Sequence, residues 1–496
     1  MPNSYAASVE ELLCLGHELG ASPAIKFDLA HMRVLLDGLG HPERRFPSVL
    51  IAGTNGKGST SATLAAILRQ AGYRTGLFTS PHLIHINERI RCNGEAISNP
   101  EFAEIHSRVE MAARQLEAAA ALPRHPSFFE MLTAMAFEYF ASTGVDLVVL
   151  EVGMGGRLDA TNTVSPCLSV ITDIALDHQK YLGESIAEIA AEKAGIIRPG
   201  GVVVTLPQHP EANQVIGRIC LERNARAVSA ARFVPPVSPG AGRAGRQPGG
   251  MSENGNGFDQ AASHRGGAPG FRSRYRLNLG DGGAGDDEIT VKSPLVGRHQ
   301  LRNVALAIAA AQELKPFGFP ITPRQVESGI EATQWPGRFQ FLPPGDGLPG
   351  IILDVAHNPA GAWALRSTLS EYCPENRLIF LFGAMRDKAI GEITEILFPL
   401  AGQVIVTRAR SPRAATPEEI QAAAERTSAE IQCQPSVAAS LNCVREMVRA
   451  ASPPPPPGSN LPGAAARHLP QPGDLLLVIT GSIYVVGEAL QILGIE

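Results

Sequence analysis

Short β-branched runs alternate with longer amphipathic stretches along most of the chain, a rhythm that predicts a parallel sheet wrapped by helices. Ser48–Ala52 reads as a strand and Ser59–Gln70 as the helix behind it; Thr75–Thr79 and Glu130–Ala141 repeat the pairing. Asp146–Val152 (DLVVLEV) is a nearly continuous apolar run, as expected of a central strand buried on both faces. Leu168–Ile174, a helical stretch over Ile186–Ala194 and a strand at Val202–Leu206 continue the series. Periodicity resumes at Leu295–Leu314. Beyond a turn at Trp335–Gly337, a second strand-rich series runs through Gly350–Val355, Leu378–Phe382, Val404–Thr407 and Asp474–Thr480.

Two stretches break the rhythm. Pro235 to about Gly285 is dense in Gly, Ser, Pro and Asn with almost no apolar periodicity, which predicts a loosely ordered insertion unable to bury enough surface to offset its ordering entropy. Ser452–Gly473, with its run of five prolines, reads as a stiff extended excursion. At 496 residues the chain is too long for one core. The boundary falls near Gln334–Pro336, so that 1–334 and 335–496 are the expected domains. The fold class expected is α/β: an N-terminal P-loop ATPase domain with a mostly parallel sheet, and a smaller, Rossmann-like C-terminal α/β domain.

Composition narrows the partners. With 44% hydrophobic and 18% charged residues and a formal net charge of -5, nothing suggests binding to nucleic acid or to an anionic membrane surface. The seven cysteines include no C-x-x-C pair and are odd in number, which excludes a zinc site or closed disulfide framework of the usual spacing. The first twenty residues lack a basic start followed by an apolar run, and no apolar stretch approaches the ~20 residues of a membrane helix. A cytoplasmic monomer is expected.

The sharpest local signal is Ser48-Val-Leu-Ile-Ala-Gly53-Thr-Asn-Gly56-Lys57-Gly58-Ser59-Thr60: strand, glycine-rich turn, helix. Glycines let such a turn bring N–H groups against phosphate oxygens. The helix N-terminus adds partial positive charge, and Lys57 a full one. The spacing departs from the standard phosphate loop, because Ile51 stands at the first glycine position and Gly58 separates Lys57 from Ser59. Glu151 ends the buried strand and precedes Val152-Gly-Met-Gly-Gly-Arg157-Leu158-Asp159-Ala160-Thr-Asn162. Ligands of an open parallel sheet sit outside the carboxyl ends of its strands, so a carboxylate there is suitably placed to hold Mg²⁺ against a nucleotide. Asp177 and His178 end the next strand region near the same rim. By residue type alone, His178 is as readily a structural histidine as a ligand, and Lys193 would be an ordinary solvated helix lysine.

GTNGKGST, FTSPHL (Phe78–Leu83), EVGMGGRLDATN (Glu151–Asn162), ITDIALDH (Ile171–His178), EKAGI (Glu192–Ile196), Trp335-Pro-Gly-Arg338, Asp354-Val-Ala-His357-Asn358-Pro359 and Gly481-Ser482-Ile483-Tyr484 occur in that order. Together they closely resemble the folylpolyglutamate synthase/dihydrofolate synthase branch of the Mur ligase superfamily, of the bacterial bifunctional type. The resemblance implies that Thr54, Asn55, Gly56, Lys57, Gly58 and Ser59 hold ATP, with Asn303, Arg338 and Asp354 as further ATP contacts. It implies two Mg²⁺ ions, with Ser80, Glu151 and His178 as ligands. Lys193 matches a lysine that reacts with carbon dioxide, the carbamate supporting the second ion. Lys57, His178 and Lys193 form the expected catalytic set. Ser127, Phe128, Phe129 and Glu130, with Leu158, Asp159 and Ala160, match segments that face the pterin substrate.

The activity implied is ATP-dependent addition of L-glutamate to dihydropteroate and to reduced folates through an acyl phosphate. Domain closure is expected to assemble the site and exclude water. A folylpolyglutamate synthase without the first activity, a peptidoglycan-precursor ligase and a P-loop switch remain alternatives. Only Met1–Val49 precedes the loop, little room for the extra domain of a peptidoglycan ligase.

Overall fold

The computed structural model describes residues 4–16, 29–236, 270–280, 287–451 and 469–495. They form two compact units, one built from the described residues among 4–236, 276–280, 287–291 and 302–334, the other from those among 270–275, 292–301 and 335–495. The expected single cut near residue 335 is thus corrected: the chain passes between the units several times.

The first unit is built on eight strands: β1 (Ser48–Ala52), β2 (Thr75–Phe78), β3 (Ile90–Cys92), β4 (Glu95–Ala96), β5 (Leu147–Glu151), β6 (Leu168–Ile171), β7 (Val202–Thr205) and β8 (Arg226–Ser229). Their order is β4-β3-β2-β5-β1-β6-β7-β8. All neighbours from β2 to β8 run parallel, while β3 and β4 add an antiparallel edge. β1 and β5 are buried at every position, which is why they read as unbroken apolar runs. Their register sets Ile51 beside Glu151, so the turn after β1 and the loop after β5 leave the same edge of the sheet.

The helix Phe128–Thr143 is apolar on nearly every face and correspondingly buried. Ser127 caps its start and Gly144 closes it at φ 63°. The strand expected over Leu168–Ile174 stops at Ile171. Residues 172–175 leave the ladder because their backbone pairs with the turn after β1 instead, through Thr54 and Asn55 N–H groups donating to the Asp173 carbonyl.

A second correction concerns the expected insertion. Much of 235–285 lies outside the described residues, as does most of the proline-rich stretch over 452–473. However, Ser273–Asn278 forms strand β9, paired with β10 (Glu288–Ser293). Ser273, Tyr275 and Leu277 are buried while the arginines between them are exposed. Just ahead, Phe271 packs its ring against Phe339, Phe341 and Tyr372. The alternation is only one strand long and is masked by the Gly/Arg-rich composition around it, yet period-two burial is what holds a hairpin.

The second unit carries β11 (Gln340–Leu342), β12 (Gly350–Leu353), β13 (Arg377–Phe382), β14 (Gln403–Val406), β15 (Ile431–Cys433) and β16 (Leu475–Thr480). They are ordered β11-β12-β16-β13-β14-β15, with only β11 antiparallel to its neighbour. Among the described residues no helix is long and apolar enough to cross a membrane.

Candidate active site

The turn between β1 and the helix Lys57–Gln70 owes its shape to two glycines. A Cβ on Gly53 would lie 1.8 Å from the Thr172 Oγ1, and one on Gly56 would lie 2.1 Å from Asn303 Oδ1. Gly56 also takes a left-handed φ of 87°, open to glycine without strain. The helix that follows presents N–H groups that no turn of its own satisfies. Ser59 and Thr60 are buried under it, and the Thr60 hydroxyl donates to the Asn303 carbonyl at 3.4 Å.

Two lysine amines converge on one carbonyl. Lys57 Nζ donates to Gly53 O at 3.1 Å and to Thr54 O at 3.3 Å, while Lys193 Nζ donates to the same Gly53 O at 2.8 Å. Lys193 stands in the last turn of the helix Ile186–Ala194 and is only 4% exposed. Burial first, then the neighbouring Lys57 charge, bring its amine down to about 7, against the opposing pull of Asp177 and Asp159. This lysine is therefore not the solvated helix residue that its type suggests.

Glu151, buried at the end of β5, accepts the Ser80 N–H at 3.2 Å. His178 adopts a left-handed φ of 52° and its N–H donates to the Asp177 carboxylate at 2.9 Å. Of the four expected metal-facing groups, the structure joins Ser80 to Glu151 and brings Lys193 within electrostatic reach of Asp177, the neighbour of His178. Among the described residues no three His, Cys, Asp or Glu side chains cluster as a cation site. By residue type, the Glu151 carboxylate and the Ser80 hydroxyl are oxygen donors of the kind that a hard cation takes.

The first segment expected to face the substrate packs on the loop that leads into the second. Gly153 lies under the half-buried Phe129 ring, whose Cζ would stand 2.5 Å from a Cβ there. Phe128 is buried beneath the Arg89 guanidinium, 5.4 Å from the ring centre. Glu130 completes a capping box with Ser127, and its carboxylate also meets His31 Nδ1 at 3.1 Å and Arg124 at 3.1 Å. Burial alone would raise its pKa, but the hydrogen bonds from His31, Ser127 and Arg124 outweigh it and hold the group near 2. Asp159 caps the short turn Ala160–Thr163, accepting from Thr161 N at 3.0 Å and Oγ1 at 2.5 Å and from Met154 N at 3.0 Å. Here burial prevails and pushes the carboxyl up. Leu158 is half-buried and Ala160 buried on either side.

In the second unit Asp354 is buried and accepts N–H groups of Phe339 and Ala356, both at 2.9 Å. Burial raises its pKa against the Arg338 charge and these bonds. The carboxylate thereby pins the turn that carries Arg338, with Val355 N–H donating to Gly337 O at 3.0 Å.

Several residues of the site escaped the motif reading. Thr172 and Asp173 strap the loop, Gln208 holds Ile174 N–H at 2.7 Å and Thr172 O at 2.9 Å, and Arg302 grips Asp173. His31 and Arg124 hold Glu130, and Arg89 covers Phe128, in the segment expected to face the substrate. Asp173 inside ITDIALDH and Arg302 beside Asn303 had only adjacency to announce them.

The pattern described as the Mur ligase middle domain matches residues 51–222, and the Mur ligase glutamate ligase domain matches 337–452. A Bacillus subtilis protein named dihydrofolate synthase/folylpolyglutamate synthase is 34% identical over 403 residues, covering 81% of this chain and 85% of its own. The Mycobacterium tuberculosis folylpolyglutamate synthase solved with ADP and AMPPCP superposes with a TM-score of 0.77 at 30% identity, over 99% of each chain. An Escherichia coli structure in complex with DHPP and ADP gives 0.72 at 25% identity, over 99% of this chain and 98% of that one.

Proposed function

This chain belongs to the folylpolyglutamate synthase/dihydrofolate synthase family of Mur-type ligases, and from that premise we propose that it adds L-glutamate to dihydropteroate and to the glutamyl end of tetrahydrofolates at the expense of ATP. The observation that carries the reading is the pair of lysines converging on Gly53 O beside the Glu151–Ser80 edge. It puts two amines and a carboxylate around a phosphate-binding turn.

A carboxylate does not react with an amine at neutral pH. Its oxygen must first take the γ-phosphoryl group of ATP, releasing ADP; the glutamate amine then attacks the acyl carbon, phosphate leaves, and the amine proton is lost. The residues serve charge and position rather than covalent chemistry. The first-turn amides of the helix Lys57–Gln70 and the Lys57 ammonium neutralise the β- and γ-phosphates. To reach them Lys57 exchanges its bonds to Gly53 and Thr54 for phosphate oxygens. Thr54, Asn55, Gly56, Gly58 and Ser59 shape that cradle, Asn303 closes it beside Gly56, and Arg338 and Asp354 of the second unit are assigned to the same nucleotide. Ser127, Phe128, Phe129 and Glu130, with Leu158, Asp159 and Ala160, form the acceptor side, the exposed part of Phe129 supplying a surface for a pterin ring.

Two Mg²⁺ ions, held by Ser80, Glu151, His178 and the carbamate of Lys193, would supply charge neutralisation at the transferring phosphoryl group. Carbamate formation needs a neutral amine. A lysine held near 7 offers it in quantity at neutral pH, where a free lysine is almost wholly protonated.

The test is ADP release with ATP and glutamate, comparing dihydropteroate, tetrahydrofolate and no acceptor. Release with both acceptors is expected, and release with neither overturns the reading. Release with tetrahydrofolate alone reduces it to folylpolyglutamate synthase. Lys57→Ala abolishes release while the far-ultraviolet circular dichroism stays unchanged. Lys193→Ala is nearly inactive and partly restored by acetate. Lys193→Arg, whose fixed charge still fills the space, is inactive and not restored; full activity in Lys193→Arg sinks the carbamate assignment.

A further inference from the structure

Asp173 and Arg302 stand outside every role assigned above, yet a closed circuit of contacts runs through them. The Asp173 carbonyl accepts the N–H groups of Thr54 at 2.8 Å and Asn55 at 3.2 Å. Its carboxylate is gripped by the Arg302 fork: Nη2 to Oδ1 at 2.5 Å, and Nε to both oxygens at 3.2 Å. Arg302 Nη2 also donates to Pro207 O at 3.0 Å. Arg302 precedes Asn303 in the helix Arg298–Glu313. Asn303 in turn returns to the loop, its side chain filling the space beside Gly56 and its carbonyl accepting from Thr60.

We propose that the Asp173–Arg302 pair is a positioning element for the nucleotide, setting the phosphate turn and Asn303 in one frame. This rests on the reading that the turn holds ATP. The physical case has two parts. Asp173 decides which loop amides are spent on the protein, those of residues 54 and 55, and so which face the turn shows to phosphate. A forked guanidinium on a carboxylate fixes orientation as well as distance, which a point charge does not. Both side chains remain about one-third exposed, 30% for Arg302 and 33% for Asp173. A pair so hydrated contributes little to global stability, so its removal should loosen the frame rather than unfold the unit.

The experiment compares the intact protein with Arg302→Met, Arg302→Lys, Asp173→Asn and the double variant Arg302→Met/Asp173→Asn. Calorimetric titration with ADP and a non-hydrolysable ATP analogue is set beside steady-state KM values for ATP, glutamate and acceptor. Arg302→Met should weaken nucleotide binding about tenfold, with KM for glutamate and acceptor within about twofold of wild type. Arg302→Lys should recover only part of the loss, and the double variant should be no weaker than Arg302→Met, because both changes open the same link. Unchanged nucleotide affinity, equal shifts for all three substrates, or additive losses in the double variant each overturn the proposal. Should Arg302→Met fail to fold, Asp173→Asn carries the test, since it keeps the backbone carbonyl and the side-chain shape. Wild-type protein that binds no nucleotide overturns the ligase reading together with this one; normal wild-type binding with unchanged variants overturns this one alone.

Discussion

Glu130 and Asp159 lie in the two segments assigned to the acceptor, both buried and both capping a helical turn. Their acidities move in opposite directions. Glu130 meets Arg124 and His31 as well as the Ser127 N–H, and stays ionised down to about 2. Asp159 meets only neutral donors, from Thr161, Met154 and Gly153, and burial lifts it above its ordinary value. Two differences separate them: Asp159 is the more deeply buried, and only Glu130 accepts a hydrogen bond from a guanidinium. Neutral donors stabilise a carboxylate but do not repay the loss of water, whereas a cation adds charge attraction that a poorly solvated setting strengthens. His31 Nε2 faces the Arg124 carbonyl at 2.9 Å while its Nδ1 faces the Glu130 carboxylate.

The largest effect should come from Glu130→Gln. An amide leaves the Arg124 guanidinium and His31 without their anion, and destabilisation of about 2–3 kcal/mol is expected in urea unfolding, since a broken buried pair strands its partners. A loss below that of an ordinary surface substitution would show that the network stabilises nothing.

The acid limb of the stability curve should respond next. A group whose folded pKa is depressed contributes stability that is present above its ordinary value, 4.5, and is lost as pH falls towards about 2. Wild type should lose stability through that window, and Glu130→Gln should lose less. His31→Leu, which removes one cap of the carboxylate, should lower stability by about 1–2 kcal/mol at neutral pH. It should also make the acid loss smaller and end it at higher pH, because folded Glu130 then protonates nearer its ordinary value. An acid limb unchanged in His31→Leu would assign the depression to Arg124 and Ser127 alone.

The smallest effect should be Asp159→Asn. A carboxyl raised by burial binds its proton more tightly folded than unfolded, so its contribution favours the fold at low pH and falls as pH rises from 3.8 through the raised value. An amide keeps the oxygen that accepts from Thr161 but loses the one that accepts from Met154, so it should cost about 1 kcal/mol and gain on wild type as pH rises. A loss matching that of Glu130→Gln would erase the contrast between the two segments.

The motifs told their own part of this. Strands β1, β2, β5, β6 and β7 were visible as apolar runs, because burial on both faces needs one, whereas the largely exposed β8 was not; Gly53, Gly56 and Lys57 were visible as a glycine-rich turn between strand and helix. Capping of the helix at Phe128 was written locally in Ser127 and Glu130, three residues apart. Strand β9 was not visible, because three buried alternating positions inside a Gly/Arg-rich stretch are too short a signal for composition to yield to.

What the sequence determined by itself was therefore whatever is encoded over a handful of neighbouring residues: strand, turn, helix, cap and the chemistry of a loop. What only the tertiary structure decided was protonation and pairing. Lys193 reads as a solvated helix lysine until burial and Lys57, 136 positions away, bring it to about 7. Asp173 and Arg302, 129 positions apart, have no local signature at all. Their meeting depends on where a loop and a helix come to rest, and electrostatic energy follows distance in space and exposure to water, neither of which is written in the order of residues along a chain.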